Sequence, residues 1–316
     1  MTAFPDLPFA PWQDTCATLH MVCQIVGKYR LAHTPWQIHS WHATLYPTAR
    51  GLTTGLIPDP QVPTTVTIDI ATGAVRVEAL GGAMAEVPLR PMSIAGFFEA
   101  FARALKTVGA TPRLHGAPNE VVDPVPFAQD AAERPLDLEA VRRYHRALVA
   151  ITAVYEVFRA GFLGKSSPVH LFWGSFDLAV TRFSGAPAPK HPGGIPALPD
   201  AVTHEAYSHA VTSTGFWPGG NGADEAMFYA YAYPTPDGFS DGPIAPAEAR
   251  WDAALGEFLL PYAAVARADD PAATLLAFMD HAFVAAARRA GWDEALDAPF
   301  GKPRVVRPLD WRRARG

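Results

Sequence analysis

The run HGAPNEVVDPVPFAQDAAERP, residues 115–135, contains four prolines. Proline removes a backbone donor and fixes φ, so this run can be neither helix interior nor central strand. Any fold of the chain must use it as a connector, and the pattern on either side repeats. Before it, residues 14–32 place Leu19, Val22, Cys23 and Val26 at helical spacing behind Asp14, a residue type that caps helix N-termini. The segments SWHATLYPTARG, TTVTIDIATGAVRVEA and AEVPLRP then predict about four antiparallel strands, and SIAGFFEAFARALKTVG predicts a helix from Ser93 to Gly109. After the connector, LDLEAVRRYHRALVAITAVYEVFRAGFLGK is amphipathic helix, PVHLFWGSFDLAVTRFSG, AYSHAVTSTGFW, AMFYAYAYP and GEFLLPY are strands, and DPAATLLAFMDHAFVAAARRAGW closes as helix.

The expected fold is α+β, with two related halves, each an antiparallel sheet of about four strands with flanking helices. The division is 1–116, connector 117–135, and 136–316, with a Pro/Gly-rich insert at 186–204 that only the second half carries. Duplication is supported by Gly27-Lys28 and Gly164-Lys165 at the ends of the two leading helices. A proline, a tryptophan and a threonine follow each: Pro35, Trp41 and Thr48, then Pro168, Trp173 and Thr181.

With 49% hydrophobic and 18% charged residues the chain belongs among globular proteins. A net charge of -5 and no long basic run give no footprint for nucleic acid, which is not an expected partner. No apolar run reaches the roughly 18 residues of a membrane span, so no membrane partner is expected either. The N-terminal stretch lacks a basic region followed by an apolar one, and a cytoplasmic location is expected. Cys16 and Cys23 lie seven apart on a helix, too far to bridge, and are read as packing residues.

The chemistry is expected on one sheet face. With a period of two, residues 170–182 put Trp173, Ser175, Asp177 and Thr181 on one side, and His170, Phe172, Phe176, Leu178 and Val180 on a core-like side. Neighbouring strands add Glu205, Tyr207, His209 and Ser213, then Tyr229, Tyr231 and Tyr233. Solvated sheet faces are rich in Lys, Glu, Thr and Arg, whereas aromatic rings around a few polar groups describe a pocket wall. The candidate catalytic residues are His209 as acid/base with Asp177 and Glu205 as partners. The candidate substrate contacts are Trp173, Tyr207, Tyr229, Tyr231, Arg182 and Arg50 for an anion, and His191 near the cavity mouth; His209 and Asp177 are expected beneath the insert.

The cofactor is unknown. A divalent metal is admitted through His170 and His209, although no HExxH, CxxC or His-x-His pattern is present. As extended strand, Glu205 and His209 stand about 13 Å apart; a helical turn over 203–209 would bring them together. HPGGIP and FWPGGNG lack the strand-to-helix context of a phosphate loop, and WGSFD lacks the second glycine of a nucleophile elbow. Lys28 and Lys165 are helix C-terminal caps or charged pocket residues.

The motifs PVHLFWGSFDLAVTRFSG, HPGGIP, EAYSHAVTSTGFWPGG, FYAYAYP, GEFLLPY, TLHMVCQIVGK and ARGLTTG, spread over nearly the whole chain, resemble a bacterial family known only as a domain of unknown function, number 5996. The resemblance implies no activity, cofactor or catalytic residue. One departure is Ala210, where the family pattern has Glu after YSH. The expected function is an enzyme acting by acid/base chemistry, with or without a metal, on a small polar or aromatic metabolite. The alternative is a non-catalytic small-molecule binder using the same wall. Oligomeric state is not legible.

Overall fold

The computed structural model describes residues 4–195, 198–220 and 223–296. Helix α1 (Gln13–His33) opens the chain and every residue from Thr18 to Arg30 is buried. A helix buried all round is a central element, not a surface one. No side chain caps its N-terminus; Trp12 occupies the cap position, and the expected Asp14 lies in the first turn.

The first sheet is a five-stranded antiparallel meander of β1 (Tyr46–Thr48), β2 (Gly51–Ile57), β3 (Thr64–Asp69), β4 (Ala74–Ala79) and β5 (Met84–Pro88). Its Val66, Ile68, Val75 and Val77 alternate inward, and α1 packs on β2. Helix α2 (Ile94–Thr107) packs on β5 and starts where expected, because Ser93 Oγ accepts the Gly96 N–H at 3.1 Å. Strands β6 (Met92–Ser93) and β7 (Glu133–Arg134) form a two-stranded ladder that fastens the end of the connector beside this helix.

Helix α3 (Leu138–Ala160) is capped by Asp137, which accepts the Glu139 N–H at 2.9 Å. The second sheet has β8 (His170–Phe172), β9 (Asp177–Pro187), β10 (His209–Trp217), β11 (Met227–Tyr233), β12 (Arg250–Asp252) and β13 (Glu257–Pro261). Its spatial order is β12-β13-β11-β10-β9-β8. Helix α4 (Asp200–Ala206) ends the insert, α5 (Tyr262–Ala266) follows β13, and α6 (Pro271–Arg289) closes the described chain under an Asp270 cap.

The architecture is α+β. The halves share the order helix, antiparallel meander, helix, but the second sheet has one more strand and places β13 beside β11, out of chain order. Leu45 and Leu171 exchange backbone hydrogen bonds at 3.0 and 2.8 Å, joining the two sheets at one point, and a single apolar core runs through both halves. Both cysteines are buried and free. No described helix is long and apolar enough to cross a membrane.

Candidate functional site

The antiparallel register settles which residues share a face of the second sheet. Ser213 lies opposite both Thr181 and Tyr231, and Gly215 lies opposite both Ala179 and Tyr229. Asp177, Ala179, Ser213, Trp217, Tyr229, Tyr231 and Glu257 therefore stand on one side, away from α3 and α6, and form the floor of a cavity of about 680 Å³. That is an ordinary size for a small-molecule site. A side chain on Gly215 would meet the Tyr229 ring, so glycine there is what lets this tyrosine lie flat on the floor.

The walls come from three other places. Helix α1 supplies Lys28 and Leu31, the segment after it supplies Trp36, His39 and His42, and the connector supplies Asn119 and Glu120. The insert roofs the space with Ile195, Leu198, Val202 and Ala206, and Tyr207 completes it. Between β8 and β9 the chain turns, so Trp173 and Ser175 are turn residues and not strand residues. The turn also reverses the expected faces: His170 pairs with Ala179 and Phe172 with Asp177, placing both on the cavity side of the sheet. Trp173 packs against α1 at Gly27, where any side chain would collide with the indole, and its Nε1–H donates to the Ala43 carbonyl.

Three carboxyl groups meet one ammonium here. Asp177 is fully buried and accepts from the Tyr229 hydroxyl at 2.5 Å and from the Ser175 hydroxyl. Burial still raises its pKa, against those hydrogen bonds. Glu120 is pushed up to about 7 by burial and then by Asp177, with Lys28 pulling the other way. Glu257 is pushed up to about 8 by burial and by the charges of Asp177 and Asp252, and its buried Oε2 has no hydrogen-bond partner. Lys28 is drawn down to about 8 by burial, opposed by Glu120; its ammonium donates to Asn119 Oδ1 and lies 5.1 Å from the Trp173 ring centre. The Tyr207 and Tyr231 hydroxyls bond each other at 2.8 Å.

Backbone strain gathers at the same place. Among the described residues, the non-glycine positions with positive φ are His39, Ser40, Glu120, Asp123 and Phe176. The first three line the cavity, and Phe176 sits between Ser175 and Asp177. Such conformations cost of order 1–3 kcal/mol each and persist where surrounding structure holds them. Glu120, at φ 56°, is held over Gly174, where a Cβ would strike its carboxylate.

Of the residues singled out from sequence, Asp177, Trp173, Tyr207, Tyr229 and Tyr231 come together in the cavity. His209 does not. It is exposed and pairs with Pro187, ten residues along β9 from Asp177 and beyond the register shift that separates His209 from Val211. The strand begins only at His209, because 200–206 is helix, so the alternation read through Glu205, Tyr207 and His209 does not exist. Glu205 instead accepts the His39 N–H through both oxygens, at 2.9 and 3.2 Å, and ties α4 to the wall.

The metal pair fails on the same register, since His170 faces Ala179 and His209 faces Pro187, eight residues further along β9. His170 is buried, donates from Nδ1 to the Pro168 carbonyl at 2.7 Å, and is held neutral by burial with its pKa lowered to about 3. Among the described residues no group of three or more His, Cys, Asp or Glu side chains is arranged to hold a metal ion.

Arg182 points to the opposite face. Its guanidinium lies 3.5 Å from the Phe158 ring centre and 4.2 Å from that of Phe283, and donates to the Phe158 carbonyl, so it is a core residue and no anion site. Arg50 lies in the turn between β1 and β2, where its Nε donates to Asp69 at 2.8 Å. His191 stacks on Tyr207 at 4.7 Å but does not line the cavity.

Sequence reasoning missed Glu120, Asn119, Glu257 and Trp217. Glu257 and Trp217 continue the floor's odd-numbered pattern and could have been found from it; nothing local marks Glu120. No curated protein and no solved structure matches the chain. A family model described as a family of unknown function, DUF5996, matches residues 4–298. The match spans both sheets, the connector and the insert that together build the cavity, and the chain belongs to this family.

Proposed function

We propose that the protein is an enzyme that performs acid/base chemistry on a small organic molecule enclosed in this cavity. The observation that carries the reading is Glu120: a buried carboxyl in a strained backbone conformation, titrating at about 7 beside Asp177 and Lys28. A group whose pKa lies near the working pH can both take and give a proton. Burial, and after it Asp177, which Ser175 and Tyr229 fix in place, keeps that proton on Glu120. Lys28 opposes it and can hold an oxygen of the bound molecule. The roof and the aromatic floor surround these groups with mostly apolar surface, which strengthens each of these interactions.

The aromatic lining by itself also fits a carrier that binds without turnover, and one experiment separates the two. Wild-type protein and Glu120→Gln are incubated with a small-metabolite extract of cells, and each species is followed by mass spectrometry. Depletion of a species by wild type and not by the variant supports the enzyme. Retention of one unchanged species by both makes the protein a carrier.

A further inference from the structure

Within the cavity the charges do not balance. Asp177, Glu120 and Glu257 come from β9, the connector and β13, and the cationic side chain opposing them is Lys28, which is already bonded to Asn119. The imidazoles of His39, His42 and His115 also line the space; burial lowers the pKa of the first two, His39 to about 4, so these two add no positive charge at neutral pH. Ionising all three carboxyls would leave two negative charges beside a mostly apolar lining. Such an excess is costly unless a bound group supplies the opposite charge.

The remaining features favour the same kind of group. Trp217 lies 4.4 Å from Tyr229, and Tyr229 stacks near-parallel to Tyr231 at 6.0 Å, so the floor offers a row of ring surfaces beside the acids. Ring faces attract cations, more strongly when desolvated. Glu257 Oε2 is a buried acceptor without a donor. An ammonium has three donors and no acceptor, and so could satisfy it.

We infer that the cavity binds an organic cation, a primary amine on an aromatic or alkyl body, with its ammonium between Glu257, Asp177 and the tyrosine rings. This rests on the cavity being the ligand site of the proposed enzyme. It adds the charge class of the substrate. An anionic ligand would meet three carboxyls for one lysine. A neutral one would leave the glutamates holding their protons and gain no charge attraction from the ring faces.

Binding a cation must also expel protons. The groups facing Glu257 are Asp177, Asp252, Tyr207, Tyr229 and Tyr231; those facing Glu120 are Asp177, Lys28 and Tyr207. The tyrosines stay neutral, since burial raises their pKa values. Glu120, Glu257 and Asp177, whose pKa values are raised, and Lys28, whose pKa is lowered, are thus the groups that release protons as the amine enters, and its affinity rises with pH until the glutamates are ionised.

The test uses three probes of one shape: 2-phenylethylammonium, 2-phenylethanol and 3-phenylpropanoate, titrated calorimetrically into the full chain. The ammonium binds about ten-fold or more tighter than the alcohol, and the carboxylate binds weakest. Ammonium affinity increases between about pH 6 and about pH 8.5, with proton release into the buffer. Glu257→Gln narrows the gap between ammonium and alcohol. Alcohol or carboxylate binding as tightly as the ammonium overturns the charge class and leaves the cavity a ligand site. Failure of all three to bind overturns it as well. A Glu120→Gln protein that turns over as wild type does removes the acid/base reading alone, whatever the probes show.

Discussion

The side-chain amide of Gln24 pairs with the backbone of Asn119 in both directions, donating to its carbonyl at 2.7 Å and accepting from its N–H at 2.9 Å. Through this pair the central helix fixes the connector one residue before Glu120. Replacing Gln24 with alanine leaves two backbone groups without partners and costs about 1–3 kcal/mol in urea unfolding. Water then reaches the carboxyl, and its pKa falls from about 7 toward the ordinary glutamate value. NMR titration of Glu120 measures this. A stability loss with the titration unmoved would make Gln24 a structural residue only.

Trp173 and Trp292 give a matched pair of substitutions. Trp173 forms a cavity wall beneath the Lys28 ammonium, whereas Trp292 packs on Phe162 and Phe283 at the end of α6. Trp173→Phe weakens 2-phenylethylammonium binding by about ten-fold. Trp292→Phe costs about 1–2 kcal/mol of stability and leaves the affinity unchanged. Equal losses of affinity would mean that Trp173 is not a wall of the binding site.

The pH dependence follows from carboxyl pKa values raised in the folded state. Between about 4.5 and about 8 the folded chain holds protons on Glu120 and Glu257 that the unfolded chain has released, so stability attributable to them falls as pH rises. Buried His20, His39 and His170, lowered to about 4 or below, act in the opposite sense below about pH 6.5. The informative quantity is therefore the difference between wild type and Glu120→Gln/Glu257→Gln in unfolding free energy. Wild type loses ground steadily from about pH 4.5 to about pH 8, and a flat difference would show that these carboxyls titrate normally.

Glu205 and His209 separate the roof from the strand beneath it. Glu205→Ala cuts the two hydrogen bonds from α4 to the His39 N–H, and amide exchange over 198–206 and 38–42 accelerates by about ten-fold or more. His209→Ala removes one exposed contact with Ser208 and changes neither exchange nor amine affinity. A large effect of His209→Ala with none from Glu205→Ala would reverse this assignment.

Much of the architecture is legible in the chain because its signals are local. Ser93, Asp137 and Asp270 cap helices at the positions where they stand in sequence, and the alternation in β3, β4, β9 and β11 survives because each has one packed face. The aromatic floor could be read from that same period of two. Arg182 could have been read from it as well, since an even position beside Asp177 faces the helices and not the cavity. His209 was misplaced because a short helix inside a proline-rich insert has too few residues to show its own period. Glu120 was invisible for a different reason. A linker's composition says what it cannot be, and nothing about where its side chains arrive.

Helix α1 is synthesised early, yet its contacts with Trp173, Gly174 and Gly219 are with residues that follow it by 153, 154 and more than 200 positions. Thr18 to Arg30 cannot be enclosed until most of the second half exists. A nascent chain that has reached only the connector carries this helix uncovered, and loop closure over such distances is slow. Maturation of the fold is thus postponed until the second sheet has been made, because the halves, although divided in sequence, share one apolar core.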